Sequence, residues 1–383
     1  MNATATLINE VKSAAPARKP QLPALTGVRT LLAVNIMFFH FTPPHMQLLY
    51  PLINNSYVFV GFFILLSGYV LSYNYADRPN LVKRDFWIAR FARLYPIYLL
   101  SLLLFCNMLV VEYHAHSVGQ FWAGVVLTPL LLQGWSPLLA TFWNTVAWTL
   151  SCEAALYLAF PWIVKLPWPK TPGRLAALLI GIWGLGLVPH TLYIIFNPDH
   201  LPGPADRYSY GFWLRALKYT PLAYVCTFLA GVTLAKLQSA LRISARQRST
   251  VAALSLIGIA IFFATAVEHV PYVLMHGGLL VPMFSALVIG LSGQNLFASA
   301  FSVRPLMLLG QASYALFLLH FNFINLLREY RIPERLHLAA LDPWLSYAAT
   351  LVLAIAAMYL VESPARKLIL KYKRDPQPAG RAF

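Results

Sequence analysis

Arg29 and His40, the first two residues that suggest chemistry in this 383-residue chain, lie in one apolar stretch. A buried imidazole can act as a general base, and a guanidinium binds anions. Eleven positions separate them, about three helical turns, so they project from the same helix face about 16 Å apart along the axis. A carboxylate follows at Glu153 in the run Trp148-Thr149-Leu150-Ser151-Cys152-Glu153, with Thr149 one turn before it and Tyr157 one turn after. In an apolar helix that carboxyl group must be protonated, hydrogen-bonded to a hydroxyl, or turned into a polar cavity shared with a partner such as His40. The stretch from Lys83 to Pro96 is basic and aromatic, and its Arg90 and Arg93 share a helix face. Two arginines so placed suit a phosphate or pyrophosphate held by paired hydrogen bonds.

Each of these residues also has a plainer reading. Arg29 works as a snorkelling anchor, His40 as a core histidine, Glu153 as a contact between helices, and Arg90 with Arg93 as a basic helix drawn to anionic lipid. Cys152 beside Glu153 offers a thiol for an acyl-cysteine, although a thiol on an apolar helix is usually a small packing residue. His320, seven residues after Ser313, shares its helix face and suits either an acceptor cavity or a packed polar contact. Glu362 and Arg366, at i and i+4, read as an exposed ion pair, and the His-x4-Asp pattern of His337 and Asp342 as chance spacing. The remaining histidines, His114, His116, His190, His200, His269 and His276, form no ligand set, so no metal is expected.

The elements that must position these residues are membrane helices. Of the chain, 59% is apolar and only 11% charged, with a mean hydropathy of +0.62, where soluble domains carry roughly a quarter charged residues. Thirteen acids and 29 bases cannot coat a soluble protein of this size. Aromatic content of 14% excludes disorder, and three cysteines, all in apolar stretches, exclude a disulfide framework. The net charge of +16 is spread over short basic stretches between apolar spans, which is the positive-inside pattern rather than a nucleic-acid face. Apolar segments fall near 28–48, 56–75, 95–112, 121–134, 143–164, 175–196, 217–237, 250–267, 271–290, 305–327 and 343–361. Segment 121–134, with Pro129, is too short for a full crossing of about 20 residues and reads as a tilted or re-entrant helix. Leaving it out of the count puts the basic loops on one side, giving an all-α bundle of ten crossings with both termini cytoplasmic. The domain division is an uncleaved N-terminal tail 1–23, a membrane domain 24–362 and a basic tail 363–383, with one long outer loop at 197–214.

Several ordered motifs now bear on function. Leu25-Thr26-Gly27-Val28-Arg29 is followed by ten residues and His40; then come Phe62 to Tyr69, Arg90 to Pro96, Trp148 to Glu153, Ser313-Tyr314-Ala315-Leu316-Phe317-Leu318-Leu319-His320, and Val361-Glu362-Ser363-Pro364. In this order and spacing, over some 340 residues, the chain resembles the acyltransferase-3 family of integral membrane acyltransferases. It departs at Cys152-Glu153-Ala154, where a valine and a second glutamate are more usual, and at Thr149, where serine is common.

The resemblance implies an acyl-CoA-dependent O-acyltransferase of the bacterial inner membrane, here as a stand-alone transferase domain. It would move an acyl group, commonly acetyl, from cytoplasmic acyl-CoA to a hydroxyl on a carbohydrate, glycolipid or related acceptor of the cell envelope. His40 is then the expected base and Glu153 the group that orients it. Arg29, Arg90 and Arg93 would clamp the CoA phosphates. Asn35, Tyr69, Trp148, Ser313 and His320 are candidates for the substrate cavity, the first three also as oxyanion donors. The rival class is a permease using Arg29, His40 and Glu153 as a substrate or proton path.

Overall fold

A computed structural model describes residues 19–78 and 81–372, which form helices joined by turns and loops. Most of the N-terminal tail, and Lys373 and Arg374 of the basic tail, lie outside the described residues. The helices that matter for the site are α1 (Pro23–His40), α2 (Phe59–Tyr75), α3 (Lys83–Leu104), α4 (Val118–Leu127), α5 (Trp148–Ile163), α6 (Pro172–Phe196), α7 (Phe212–Tyr219), α8 (Val225–Ala240), α9 (Ala245–Ile261), α10 (Val281–Leu291), α11 (Arg304–Glu329), α12 (Trp344–Ala357) and α13 (Ser363–Tyr372).

By length and composition, eight helices can cross a membrane: Ser56–Tyr75, Lys83–Leu104, Pro172–Phe196, Pro221–Ala240, Ala245–His269, Tyr272–Leu291, Arg304–Glu329 and Trp344–Lys371. The chain is therefore an all-helical, multi-pass membrane bundle. The charge pattern predicts ten crossings, and the two that fall outside the eight are α1 and α5. Helix α5 has 16 residues, about 24 Å of rise against a hydrocarbon core of about 30 Å. Helix α1 has 18 residues and carries Arg29, Asn35 and His40, which dilute its apolar character. Both helices sit among the spans and deliver Arg29, His40 and Glu153. Only 11% of the apolar stretch of α6 is buried within the protein, which marks it as a lipid-facing flank.

Small residues set the closest helix contacts. A Cβ at Gly68 would lie 2.2 Å from the Phe228 carbonyl oxygen, and one at Gly231 only 2.0 Å from that of Leu65, so α2 and α8 touch backbone to backbone. Helices α1 and α11 meet in the same way at Gly310, where a Cβ would come within 2.0 Å of the Thr26 carbonyl oxygen. The Thr30 hydroxyl fastens this contact by donating to the Leu306 carbonyl at 2.6 Å. The α1–α11 pairing lays the face bearing Arg29 and His40 alongside the helix bearing Ser313 and His320.

The short segment near 121–134 is a ten-residue helix, α4, started by a Ser117/Gln120 capping box and finished at Leu127. Its length of about 15 Å is half a crossing. Irregular turns follow as far as Ala147, and Thr128, Gln133 and Asn144 within them are wholly buried. Such backbone survives in a membrane protein only where protein satisfies it. Here Tyr98 donates to the Thr128 carbonyl at 2.5 Å, Gln133 to the Ala147 carbonyl at 3.2 Å, and Asn144 to the Leu318 carbonyl at 3.1 Å.

A π-helical turn, Met358–Glu362, joins α12 to α13, and α13 packs against α3. Glu362 is 2% exposed and pairs with Arg93 rather than forming an exposed pair with Arg366, because the wide turn directs it into the bundle. Lys19, paired with Asp77 at 2.5 Å, joins Arg93 and Arg366 at the same end of the bundle.

Candidate active site

One cavity of about 530 Å³ opens at this end, within the range of small-molecule sites. Along α2 its lining runs from Asn74 up to Val60, a depth of about 21 Å at 1.5 Å per residue. Arg29, Arg90, Arg93, Glu153 and Ser313 all line it, so five of the residues singled out from sequence meet in one space. They come from α1, α3, α5 and α11, which explains why no local motif contains them all.

The three arginines are held differently. Arg93 is neutralised by Glu362. The Arg29 guanidinium lies 6.0 Å from the centre of the Phe63 ring, and that of Arg90 lies 5.9 Å and 5.8 Å from Tyr75 and Phe86. The Nε atoms of Arg29 and Arg90 are buried without a hydrogen bond among the described residues. Donors left in this state inside a cavity are prepared for an anionic ligand.

Glu153 is fixed by a chain of hydroxyls. Tyr157 donates to the Ser67 oxygen at 3.1 Å, and Ser67 donates to Glu153 Oε1 at 2.9 Å. Arg29 and Arg93 act on the carboxylate electrostatically. Its partners are therefore hydroxyls and guanidinia, and among the described residues it makes no hydrogen bond or ion pair with His40.

His40 stands apart, as the last residue of α1, at the end of the bundle reached by the long loop. Arg207 of that loop lays its guanidinium 4.2 Å from the Phe39 ring and donates to the Phe39 carbonyl at 3.4 Å. The His40 ring packs against Phe321 at 4.9 Å, Phe39 at 5.0 Å and His320 at 5.3 Å between centroids. The cavity stops short of it: Phe317 lines the deep part, 6.4 Å from Phe63 and 6.1 Å from His320. Thus the structure brings His40 and His320 together, and separately brings Glu153 to the arginines.

The other cavity candidates have structural duties. Asn35 donates to the Leu31 carbonyl at 2.8 Å on its own helix. Tyr69 donates at 2.6 Å to Gln238, which also accepts from Ser292, so it ties α2 to α8 and the end of α10. Trp148 packs on Tyr219 and Tyr224 at 5.1 Å and 5.6 Å. Cys152 is wholly buried with its thiol toward the Tyr219 carbonyl, in a packing position. Sequence reasoning gave no site role to Ser67, Tyr157, Phe63 or Phe317, and read Glu362 and Arg366 as an exposed ion pair. Of these, Tyr157 carried a readable signal, its i+4 spacing from Glu153.

Comparison with known proteins gives the family. The acyltransferase-3 family model, described as an acyltransferase domain, matches residues 22–363. Acyltransferase MdmB of Streptomyces mycarofaciens is 27% identical over 329 residues, covering 81% of each chain. Peptidoglycan O-acetyltransferase OatA of Listeria monocytogenes is 24% identical over 90% of this chain and 56% of its own. Putative peptidoglycan O-acetyltransferase YrhL of Bacillus subtilis is 24% identical over 90% and 55%. The chain spans little more than half the length of these last two relatives. No solved structure matches it significantly. A match across nearly the whole membrane bundle, including every residue of the cavity except Lys19, Pro20, Gln21 and Arg366, places this chain in the acyltransferase-3 family.

Proposed function

We propose that this protein transfers an acyl group, acetyl in the simplest case, from cytoplasmic acyl-CoA to a hydroxyl of a cell-envelope carbohydrate or related acceptor. The observation that carries this reading is the deep cavity with Arg29, Arg90 and Arg93 along it and Lys19 and Arg366 at its mouth. Guanidinia with buried, unused N–H groups suit the phosphates of CoA, and the apolar depth between Phe63 and Phe317 suits an acyl-thioester arm. The names of the relatives, two of them peptidoglycan O-acetyltransferases, support a carbohydrate acceptor.

In this mechanism His40 removes the proton from the acceptor hydroxyl while its oxygen attacks the thioester carbonyl. The tetrahedral intermediate collapses with loss of the CoA thiolate, which takes the proton back from His40. Arg29 and His40 are separated by eleven residues of one helix, about 16 Å, so anion binding and proton transfer occupy opposite ends of a rigid element. The donor enters from the basic, cytoplasmic end, and the acceptor meets His40 from the outer loop. Tyr69 already gives its one donor to Gln238, whereas Asn35 gives one of its two amide N–H groups to Leu31 and keeps the other for an oxyanion.

The test is saturable binding of acetyl-CoA to detergent-purified protein. Arg90→Ala, which breaks no ion pair seen in the fold, should weaken it about tenfold or more, since a charged hydrogen bond contributes about 1.5–3 kcal/mol. Absence of binding to folded wild-type protein would reject the acyl-CoA donor.

A further inference from the structure

We propose that His320, and not Glu153, is the positioning residue for His40: an imidazole whose bare nitrogen accepts the N–H of the base and fixes its tautomer. The inference rests on the function proposed above. His320 is completely buried on α11. Its Nδ1 lies 2.9 Å from the Phe317 carbonyl and 3.2 Å from that of Leu316. Carbonyl oxygens only accept, so the hydrogen-bond network assigns the proton to Nδ1 and leaves Nε2 with a free lone pair. That Nε2 is buried and has no hydrogen bond among the described residues. Buried polar atoms are ordinarily satisfied, so an acceptor kept in this state calls for a donor.

The surroundings identify it. The rings packed against His320 are Phe317 and His40, and of these only His40 has an N–H to give. Its ring centre is 5.3 Å away at 41°, so a small rotation of the half-buried His40 side chain brings an N–H onto the lone pair. With one nitrogen committed to His320, the other is left bare toward the acceptor hydroxyl. When His40 takes the substrate proton it becomes a cation with two N–H groups. One still points at His320 Nε2, and the other returns its proton to the departing thiolate. The backbone carbonyls behind His320 stand where a catalytic triad has its carboxylate, because the buried acids are engaged elsewhere, Glu153 by Ser67 in the arginine cavity and Glu362 by Arg93.

The experiment compares His320→Phe, which keeps the ring and removes the acceptor, with His320→Gln, whose amide oxygen can take the place of Nε2. Purified protein is given acetyl-CoA with a tetramer of N-acetylglucosamine or water as acceptor, and release of the CoA thiol is followed. Loss of a group that orients a functional histidine costs about 10- to 100-fold. We expect His320→Phe to lose that factor in kcat, with KM for acetyl-CoA unchanged, and His320→Gln to recover part of it. Phe and Gln variants equally impaired, a kcat within twofold of wild type in His320→Phe, or a loss appearing in acetyl-CoA affinity would each overturn the positioning role. His40→Gln separates the two levels of the argument: an active His40→Gln rejects the proposed base, whereas an inactive one beside a fully active His320→Phe rejects only its partner.

Discussion

The two ends of α1 are built on opposite principles. Around Arg29 the bundle is open, charged and hydrogen-bonded, with three arginines, two carboxylates and a chain of hydroxyls. Around His40 it is closely packed and aromatic, with Phe39, Phe321 and His320 as neighbours and Arg207 covering the edge. A strongly charged cavity binds a charged substrate, but its guanidinia would oppose the cation that a general base must become. A mostly aromatic shell, with Arg207 only at its edge, leaves an imidazole free to take a proton. Under the function proposed above, the difference teaches that donor binding and proton transfer would be kept apart by about 16 Å of one helix, rather than combined in a single constellation.

That separation predicts distinct losses at the two ends. His40→Gln should produce the largest, abolishing transfer by the 10²–10⁴-fold typical of a general base, with acetyl-CoA still bound. If binding and transfer fell together, the two ends would be one site. Next in size is the buried ion pair. Glu362→Ala strands the Arg93 charge and should cost on the order of 3–5 kcal/mol, read as an earlier thermal unfolding in detergent. Replacing both residues with methionine should recover most of it, and equal melting of single and double variants would contradict a buried pair. Ser67→Ala, which frees Glu153 and leaves Tyr157 without its acceptor, should reduce donor affinity only several-fold and leave kcat near wild type; a loss in kcat alone would move Glu153 to the chemical step.

The smallest effect belongs to a cation near the long loop 197–214. Lys218 on α7, outside the spans, is 5% exposed and rests 5.0 Å and 5.3 Å from the rings of Tyr272 and Tyr219. Burial pushes its ammonium down to about 8, from an ordinary lysine value near 10.4. Between these values the unfolded chain holds the proton and the folded one releases it, so this group makes stability rise with pH through that window. Lys218→Met should flatten the rise in melting temperature between pH 8 and 10, and an identical slope in the variant would show that Lys218 contributes nothing to it.

Much of the cavity was legible before any fold was known, because ionisable residues are rare in apolar helices and each one must have a use. Arg29, Arg90, Arg93, Glu153 and Ser313 all reach it. Pairing His40 with Glu153 was the natural reading of two polar residues in a sea of leucine, and it did not survive packing. The hydroxyl that holds Glu153 belongs to Ser67, which has no charge to betray it in an apolar run. Glu362 looked like the start of an exposed tail, since a π-helical turn that directs a side chain inward leaves no mark in hydropathy.

Composition and charge spacing were sufficient for the class of molecule, the number and order of its apolar segments to within the two shorter helices, and the face and depth of each polar residue on its own helix. Those properties follow from the 1.5 Å rise and 3.6-residue turn, which are local. Which helix each face meets was decided by close backbone contacts at Gly68, Gly231 and Gly310 and by the buried turns after α4, all of them long-range. Helical periodicity orients a side chain within its own helix and carries no information about the neighbour across the groove, so only the tertiary structure could assign His320 to His40 and Ser67 to Glu153.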